Sequence, residues 1–519
     1  MTETSAKNAI GADEPPPESA EARRRQRSAI LVAVCIALMA VISSVSGLNV
    51  AQPQLAVAFN ASQSTILWVI NIYTLALAAL LLPLGALGDR RGRKPMLLAG
   101  LAVFGVASIA AGFAPSVEVL FAARMLSGVG AAIIMPVTLA VITSTFPAEE
   151  RGRAIGVWTG VAGGGGILGM FLSAVLVDLA SWRWLFVLPV VLVVIAGVLT
   201  LRSVPNSREN SAHRFDTVGS LTSMLAAAGL ILVLQEGPER GWSAPVTVVS
   251  LIVGVLAAIV FAIWELRHPA PLLDVRLFRQ RGLATGSVTL LAVFGVQAGI
   301  FVVLFPYFEA VLGWSGLLAT AALMPMAVLM MAASGLAPRL AVRIGSRATI
   351  ATGIALAGLG LALMATFVSA DSGSGYLSVL PGMLAMGAGM GLSMTPSTEA
   401  ITSSLPRERQ GIASALNDVT REFGTALGVA LLGALVSSGY RNSINSQLHD
   451  VPQATAATAR EGVANAIAAA GPHAQALVRA AKQSFVDGWQ QAMWVGLAVM
   501  AALFLYVVLR GPRERRDSV

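Results

Sequence analysis

Three ionisable residues lie within five positions of one another in a stretch that is otherwise apolar. The stretch reads LNDVTREFGTALG over residues 416–428 and contains Asp418, Arg421 and Glu422. Apolar sequence flanks it on both sides, which predicts a helix that crosses hydrocarbon. A charged group at the centre of a bilayer costs at least about 2.5–3.5 kcal/mol. We therefore expect these groups to face one another or a water-filled cavity, where a carboxyl group can take up and release protons.

The acidic residues outnumber the one arginine near them. Asp418 and Glu422 are four positions apart and share a helix face, and Glu422 should lie about 16 Å into the membrane, near its midplane. Glu399, before the preceding connection, is expected at the depth of Asp418 and could pair with Arg421. A self-neutralised ion-pair cluster that holds helices together is the alternative. We favour proton coupling and substrate binding for Asp418 and Glu422, with Glu399 in the substrate site.

Composition places the chain in a membrane. Of its 519 residues, 56% are hydrophobic and 12% are charged, and the mean hydropathy is +0.75, whereas soluble domains carry roughly 25% charged residues. The net charge of +8 comes from short basic runs between apolar stretches, as in inner-membrane proteins. This distribution argues against nucleic-acid binding. One cysteine, four scattered histidines and no nucleophile or phosphate-loop motif predict no metal site, no cofactor and no enzyme activity.

Counting apolar stretches of about 20 residues gives fourteen membrane spans. Connections rich in Lys and Arg alternate with connections nearly free of them, which predicts that both termini are cytoplasmic. The predicted parts are a disordered cytoplasmic tail (1–27), a six-helix bundle (28–201), two inserted helices (217–265), a second six-helix bundle (284–509) and a cytoplasmic tail (510–519). The chain is thus predicted to be an all-α membrane protein.

Two short motifs recur at nearly the same spacing. FPAEERG, Phe146–Gly152, resembles LPRERQG, Leu405–Gly411, 259 residues downstream. Arg90–Lys94 and Arg343–Arg347 both read Arg-x-Gly-x-basic, at a spacing of 253. The two matches predict a duplicated six-helix half, with a substrate site between the halves near the midplane.

The repeat assigns counterparts to the acidic positions. Asp418 corresponds to Thr159, and Glu422 corresponds to Gly163 in VAGGGGILG. Four consecutive glycines propagate a helix poorly, so Gly163 and Gly166 suit a helix that bends or slides during gating. Simple close packing of small residues is the equal alternative.

Two other features remain open at this point. Arg124 lies roughly 10 Å from the outer end of the fourth span, where Asn49 and Asn71 could accept its hydrogen bonds. The outer connection 438–488 is long and rich in alanine. It is expected to be a surface cap, with a substrate-gating lid as the alternative.

Several motifs resemble the major facilitator superfamily, in particular its 14-helix drug:proton antiporters. They are GALGDRRGRKPML from Gly85, RMLSGVGAA from Arg124, NVAQP from Asn49, WVINIYTLALAALLLPLG from Trp68, SWRWLF and PLLDVRLFR. The resemblance covers essentially the whole chain. It implies the two-bundle fold, alternating access and export of lipophilic, often cationic drugs across the plasma membrane in exchange for protons.

The resemblance also implies roles for individual residues. Asp418 and Glu422 match the acidic positions on helix thirteen of quaternary-ammonium exporters, and Arg124 matches an arginine tied to proton coupling. The predicted cytoplasmic gate comprises Gly85, Asp89, Arg90, Gly92 and Arg93. We add Asn49, Trp68 and Asn71 to the predicted substrate site, and we expect a monomer.

Two marks of drug antiport are altered in this sequence. Ser44 stands where the drug:proton branch usually has an aspartate on helix one. In the fifth-helix motif Gly-Pro-x-x-Gly-Gly, this chain reads GMFLSA, with Met170 in place of proline. A second hypothesis is therefore an exporter of an endogenous metabolite, lipid or antibiotic without strict proton coupling. A third, a non-transporting membrane receptor of the same fold, has no signalling domain to support it.

Overall fold

The computed structural model is helical throughout the residues it describes, which are 17–207, 215–369, 375–449, 451–470 and 475–511. Fourteen of the helices in these ranges are long and apolar enough to cross a membrane, as predicted. They are α1 (Glu21–Val50), α2 (Gln63–Arg91), α3 (Arg93–Gly112), α4 (Val117–Thr145), α5 (Ala148–Leu179), α6 (Trp182–Ser203), α7 (Thr217–Arg240), α8 (Pro245–Arg267), α9 (Arg281–Val311), α10 (Gly316–Ile344), α11 (Ser346–Phe367), α12 (Tyr376–Thr402), α13 (Arg407–Asn445) and α14 (Gln475–Arg510).

Several helices are longer than the apolar stretches that predict them. Helix α13 continues to Asn445 and α14 begins at Gln475, so the connection between them is shorter than 438–488. Residues 21–27, expected in a disordered tail, belong to α1, and residues 1–16 lie outside the described part of the chain. The helices are longer than predicted because a helix can extend past the hydrocarbon through polar residues, and a search for apolar stretches does not include these residues.

The two halves pack in the same way. Helices α1–α6 contact one another in the pairs α1–α5, α1–α6, α2–α4, α3–α4 and α3–α6, and α9–α14 repeat these pairs as α9–α13, α9–α14, α10–α12, α11–α12 and α11–α14. Gly92 and Gly345, 253 positions apart, both end a helix in the left-handed region, with φ of 101° and 90°. A side chain is strained there, so glycine serves both turns. The predicted duplication agrees with this packing.

The two bundles meet along several helix pairs. Helix α2 contacts α13 and α5 contacts α10, while α4 also contacts α13 and α5 also contacts α12. The inserted helices lie beside the first of these pairs, because α7 packs on both α2 and α13. Gln235 of α7 donates a hydrogen bond to Thr74 of α2 at 3.0 Å. The inserted pair therefore covers one seam between the bundles.

Alternate connections come together at one end of the helix array, which we call the arginine-rich end. Arg27 forms an ion pair with Glu150 at 3.2 Å. Lys94 donates to the carbonyl of Leu201 at 2.8 Å. These contacts join the start of α1, the start of α3, the start of α5 and the end of α6. The basic connections thus share one end, as the alternation in the sequence predicts.

The connection between α13 and α14 lies at the opposite end and carries two short helices, Gln453–Glu461 and Val463–Ala469. Tyr440 of α13 donates to the carbonyl of Ala459 at 2.7 Å. The second short helix packs on α14 and on the last turn of α9. These contacts attach the connection to the second bundle. Whether it acts as a surface cap or as a substrate-gating lid stays a prediction.

The crossing of α9 and α13 has no room for a side chain at Gly428. A methyl group there would overlap the carbonyl oxygen of Gly295. We expect Gly428→Ala to destabilise the fold by about 3 kcal/mol, because overpacking forces the backbones apart. Gly433→Ala is the matched control on the same helix, since its methyl group would lie 3.8 Å from Val302. Thermal unfolding in detergent should show a lower midpoint for Gly428→Ala, and equal midpoints for the two variants would contradict this account.

Candidate functional site

The two acids of α13 occupy different environments. Asp418 is 0% exposed, and its Oδ1 accepts hydrogen bonds from Asn417 at 3.1 Å and from Arg421 at 3.4 Å. Its second carboxylate oxygen is buried and accepts no hydrogen bond from the residues that the structure describes. Asp418 therefore does not reach a wet passage in this conformation, although the sequence led us to expect that both acids would.

Arg421 is held between the two bundles by aromatic rings. Its guanidinium carbon lies 4.5 Å from the ring centre of Phe294 on α9 and 5.5 Å from that of Trp158 on α5. Trp158 in turn donates to Thr138 of α4 at 3.1 Å. These cation–π contacts fix Arg421 on Asp418, so the pair forms a closed structural unit at the seam.

Glu422 differs from Asp418 in both exposure and pairing. Its side chain is half-buried, and no hydrogen bond or ion pair reaches its carboxyl group from the described residues. It lies within electrostatic range of Arg421 and Asp418 and of Tyr73 on α2. Counting from Gln410, it is roughly 18 Å along α13. Glu422 is thus an unpaired acid at mid-depth on the face of α13 that looks toward the other bundle.

The Asp418–Arg421 pair can be tested by a double-mutant cycle. Removing one partner of a buried ion pair leaves an uncompensated charge and costs about 3–5 kcal/mol. We expect Asp418→Asn and Arg421→Gln each to lower the thermal-unfolding midpoint, and the double variant to recover most of the loss, because no charge is then left unpaired. Simple addition of the two losses would show that the pair is not a unit.

Glu399 does not join this group. No ion pair connects it to Arg421 among the described residues, so the predicted Glu399–Arg421 pair is wrong for this structure. Glu399 lies three residues before the end of α12, roughly 5 Å in, whereas Asp418 lies roughly 12 Å along α13. The expected equal depths fail because α12 continues to Thr402 and the connection after it is short. The carboxyl group of Glu399 instead lies beside Gly152 of α5.

Arg124 is buried and has no carboxylate partner in the part of the chain that the structure describes. It is 0% exposed, and its Nη1 donates to Ser44 of α1 at 2.9 Å. Its guanidinium carbon lies 4.3 Å from the ring centre of Tyr73, while no described residue forms a hydrogen bond with Nε or Nη2. The predicted acceptors Asn49 and Asn71 are not used, because Ser44 is the acceptor that α1 presents at this depth.

The remaining predicted substrate residues belong to α1 and α2 of the first bundle. Asn49 is exposed near the end of α1, where it donates to the carbonyl of Val45 at 3.3 Å. Trp68 and Asn71 are half-buried on α2. They lie about one and two turns into this helix from the end of the bundle where Asn49 is located. Their predicted role in substrate binding stays a prediction.

The predicted gate residues lie at the arginine-rich end, where the two bundles touch. Asp89 accepts hydrogen bonds from the backbone N–H groups of Gly411 (2.8 Å) and Ile412 (3.2 Å) on α13. Arg93 forms an ion pair with Asp89 at 2.8 Å and donates to the carbonyl of Arg407 at 3.1 Å. Asp89 thereby caps the first turn of a helix in the other bundle.

Neighbouring residues shape the same contact. A methyl group built at Gly85 would lie 2.7 Å from the carbonyl oxygen of Gly411, so glycine allows α2 and α13 to approach. Gly92 has φ of 101° and ends α2. Arg90 lies with its guanidinium carbon 5.5 Å from the ring centre of Phe215 at the start of the inserted helices.

The glycine run of α5 lies in an unbroken helix. Gly163 faces Met330 of α10, where an added Cβ would lie 3.0 Å from its terminal methyl carbon. Gly166 faces Ile42 of α1, at 3.5 Å. The run therefore permits close packing of α5 between its own bundle and the other one, which is the packing alternative stated for it above. A role in sliding stays a prediction.

Sequence reasoning missed the aromatic residues of the site. Tyr73 contacts Arg124 and is within electrostatic range of Glu422, and Trp158 and Phe294 flank Arg421. Aromatic side chains in membrane spans are usually core residues, and nothing in their spacing distinguished these three. The repeat did carry one signal, because Trp158 is the counterpart of Asn417, the residue beside Asp418.

Known proteins resemble this chain along nearly its whole length. Multidrug resistance protein Stp of Mycobacterium tuberculosis is 30% identical over 92% of this chain and 90% of its own length. Methyl viologen resistance protein SmvA of Salmonella typhimurium is 30% identical over 92% and 96%. The crystal structure of the human organic anion transporter MFSD10 has 13% identity and a TM-score of 0.59, covering 95% of this chain and 100% of that one. That last similarity supports the fold alone.

The fold and the site define a multi-pass transporter of the inner membrane rather than an enzyme. The sequence profile of the Major Facilitator Superfamily matches residues 33–429, and the chain belongs to that family. The predicted resemblance, the fold of two six-helix bundles with two inserted helices and the membrane location are confirmed.

Proposed function

We propose that this protein exports lipophilic, predominantly cationic compounds in exchange for protons, by alternating access between its two bundles. Its relatives Stp and SmvA are named for multidrug and methyl viologen resistance, which supports drug-type substrates. Methyl viologen is itself a cation, and an acid at mid-depth suits such a ligand. The protein acts as a monomer, and neither nucleic acid nor a cofactor takes part.

The environment of Glu422 is the observation that supports the proposal most strongly. It is half-buried at mid-depth with no hydrogen-bond or ion-pair partner among the described residues, whereas Asp418 four residues earlier is closed against Arg421. An ionised carboxylate in this position attracts a cation, and a protonated one does not. Competition between a proton and a cationic substrate for Glu422 would then couple the two movements. Asp418 and Arg421 act as its rigid support.

Arg124 and Tyr73 extend the site into the first bundle. Tyr73 lies over the guanidinium group of Arg124 and within electrostatic range of Glu422. We propose that Arg124 holds a fixed positive charge at this depth, which keeps a cationic ligand on the Glu422 side of the passage. Asn71 and Trp68 of the same helix α2 would line its wall.

The orientation follows from the charge of the connections. The arginine-rich end collects the basic connections, and such connections stay in the cytoplasm. The structure has the bundles in contact there through Asp89 and Gly411. We propose that this contact closes the cytoplasmic side, with Gly85, Asp89, Arg90, Gly92 and Arg93 as its gate.

A specific observation favours a second candidate, export without strict proton coupling. Ser44 is the hydrogen-bond acceptor of Arg124, so the first bundle offers no titratable acid at that position. In this case Glu422 would bind the substrate without exchanging protons.

Transport by the purified protein in liposomes distinguishes the two candidates. The probes are methyl viologen and ethidium, a lipophilic fluorescent cation. If protons drive export, an imposed pH gradient should accumulate the probe, and collapsing the gradient with an ionophore should stop accumulation. Transport that runs down the probe's own gradient and ignores pH would support the second candidate, and no transport of either cation would count against the proposed substrate class.

A further inference from the structure

The two bundles touch at two places at the arginine-rich end, and one of them lacks its expected carboxylate. At the first, Asp89 of α2 binds the backbone at Gly411 of α13. The repeat spacings of 259 and 253 pair Gly411 with Gly152 of α5, and Asp89 with Val342 of α10. Val342 is 88% exposed and has no acceptor group. The second contact therefore needs its acid from another helix.

Glu399 supplies a carboxyl group at that place. A Cβ at Gly152 would lie 3.4 and 3.5 Å from the two carboxylate oxygens of Glu399, and 3.5 Å from Pro338 of α10. Glu399 belongs to α12 of the second bundle, while Gly152 belongs to α5 of the first. Its carboxyl group thus rests against the first turns of a helix in the other bundle, near that helix's partly positive end.

A cation of the first bundle lies near it. Arg151, next to Gly152, is within electrostatic range of Glu399, although the two side chains form no ion pair among the described residues. Arg407 of the second bundle repels Arg151. Two guanidinium nitrogens of Arg151, Nε and Nη2, are buried and lack a hydrogen-bond partner within the described ranges of the chain. The opposite charges lie on opposite bundles, so separating the bundles at this end would separate the charges.

We propose that Glu399 and Arg151 form a second closure contact between the bundles at the arginine-rich end, with Glu399 as a positioning residue that does not touch substrate. The contact takes the place that duplication would have given to an acid on α10. It stabilises the conformation closed at this end, and it is lost when this end opens. This proposal assigns Glu399 to the gate rather than to the substrate site, which its position in the sequence had suggested.

The test measures the opening directly. Spin labels are attached to Ala148→Cys on α5 and Val342→Cys on α10, two exposed positions at this end, in full-length protein with Cys35→Ser. Pulsed electron resonance in nanodiscs then gives the fraction of molecules with the ends apart. A half-exposed charge pair is worth about 1 kcal/mol, so Glu399→Gln and Arg151→Gln should each raise the open-to-closed ratio about fivefold.

Two further variants separate a pair from two independent residues. The double variant Glu399→Gln/Arg151→Gln should open no further than either single one, and the exchange Glu399→Arg/Arg151→Glu should restore the native ratio. Restoration also excludes misfolding as the cause. Glu408→Gln, an exposed acid in the short 3₁₀ turn at the start of α13, is the matched control and should leave the ratio unchanged.

Ethidium binding completes the test. Glu399→Gln should bind ethidium with the native Kd once the open fraction is taken into account. A tenfold weaker Kd with an unchanged distance distribution would overturn the proposal and return Glu399 to the substrate site. Additive opening by the two single variants, or no opening by either, would also overturn it.

Discussion

Glu422→Gln should abolish the accumulation of ethidium and methyl viologen that a pH gradient drives, while leaving the protein folded. Glutamine fills nearly the same volume but neither binds nor releases a proton. It also removes the negative charge that attracts the cation. At a half-buried site this attraction is worth about 2 kcal/mol, so the Kd of a cationic ligand should rise roughly 30-fold. The measurement is liposome transport together with equilibrium binding of ethidium.

A neutral lipophilic ligand separates the two effects of this substitution. Its affinity should be nearly unchanged in Glu422→Gln, because the variant lacks only the charge, and yet its pH-driven transport should be lost as well. Glu461→Gln, an exposed acid of the connection between α13 and α14, is the control and should transport normally. Retention of pH-driven export by Glu422→Gln would contradict the proposed coupling, and the role would then fall to another group.

Much of the fold was predictable, because hydrocarbon imposes a length and a polarity that a sequence must show. All fourteen spans were predicted. The duplication was predictable too, since the turns at Gly92 and Gly345 need the same residue type. Helix ends were less accurate. Asn445 and Gln475 lie beyond the apolar part of α13 and α14, where a polar helix and a polar connection have similar composition.

The acidic residues of the site were predictable from the sequence, but the difference between their environments was not. Asp418 and Glu422 share a helix face, and the sequence gives no reason for one to be closed and the other open. The difference comes from Trp158 and Phe294, two rings on other helices that hold Arg421 on Asp418. Contacts between residues more than a hundred positions apart are set by helix packing, which spacing along one helix does not contain.

Asp89→Asn should open the arginine-rich end more than any single change at the second closure contact. Asp89 accepts from Gly411, Ile412 and Arg93 with little exposure to solvent. The amide loses the charge, and its NH2 group faces donors. Losing one charged hydrogen bond of this kind costs about 2 kcal/mol, which should raise the open-to-closed ratio of the Ala148–Val342 label pair roughly 30-fold. Export should fall with it, because a transporter that rarely closes this end completes few cycles.

Asp274→Asn is the matched control for Asp89→Asn. It tests whether opening of the arginine-rich end depends on the position of the acid rather than on the loss of any carboxylate that accepts a backbone hydrogen bond. Asp274 also accepts from a backbone N–H, that of Arg276 at 3.0 Å, but both residues belong to the same connection after α8. Its loss should therefore weaken a local turn and leave the label distances unchanged. Asp89 differs because its carboxylate is on α2, whereas the N–H groups that donate to it, those of Gly411 and Ile412, are on α13. These hydrogen bonds therefore form only when the bundles meet. If Asp89→Asn and Asp274→Asn gave the same distance distribution, the contact at Gly411 would be a result of closure and not one of its causes.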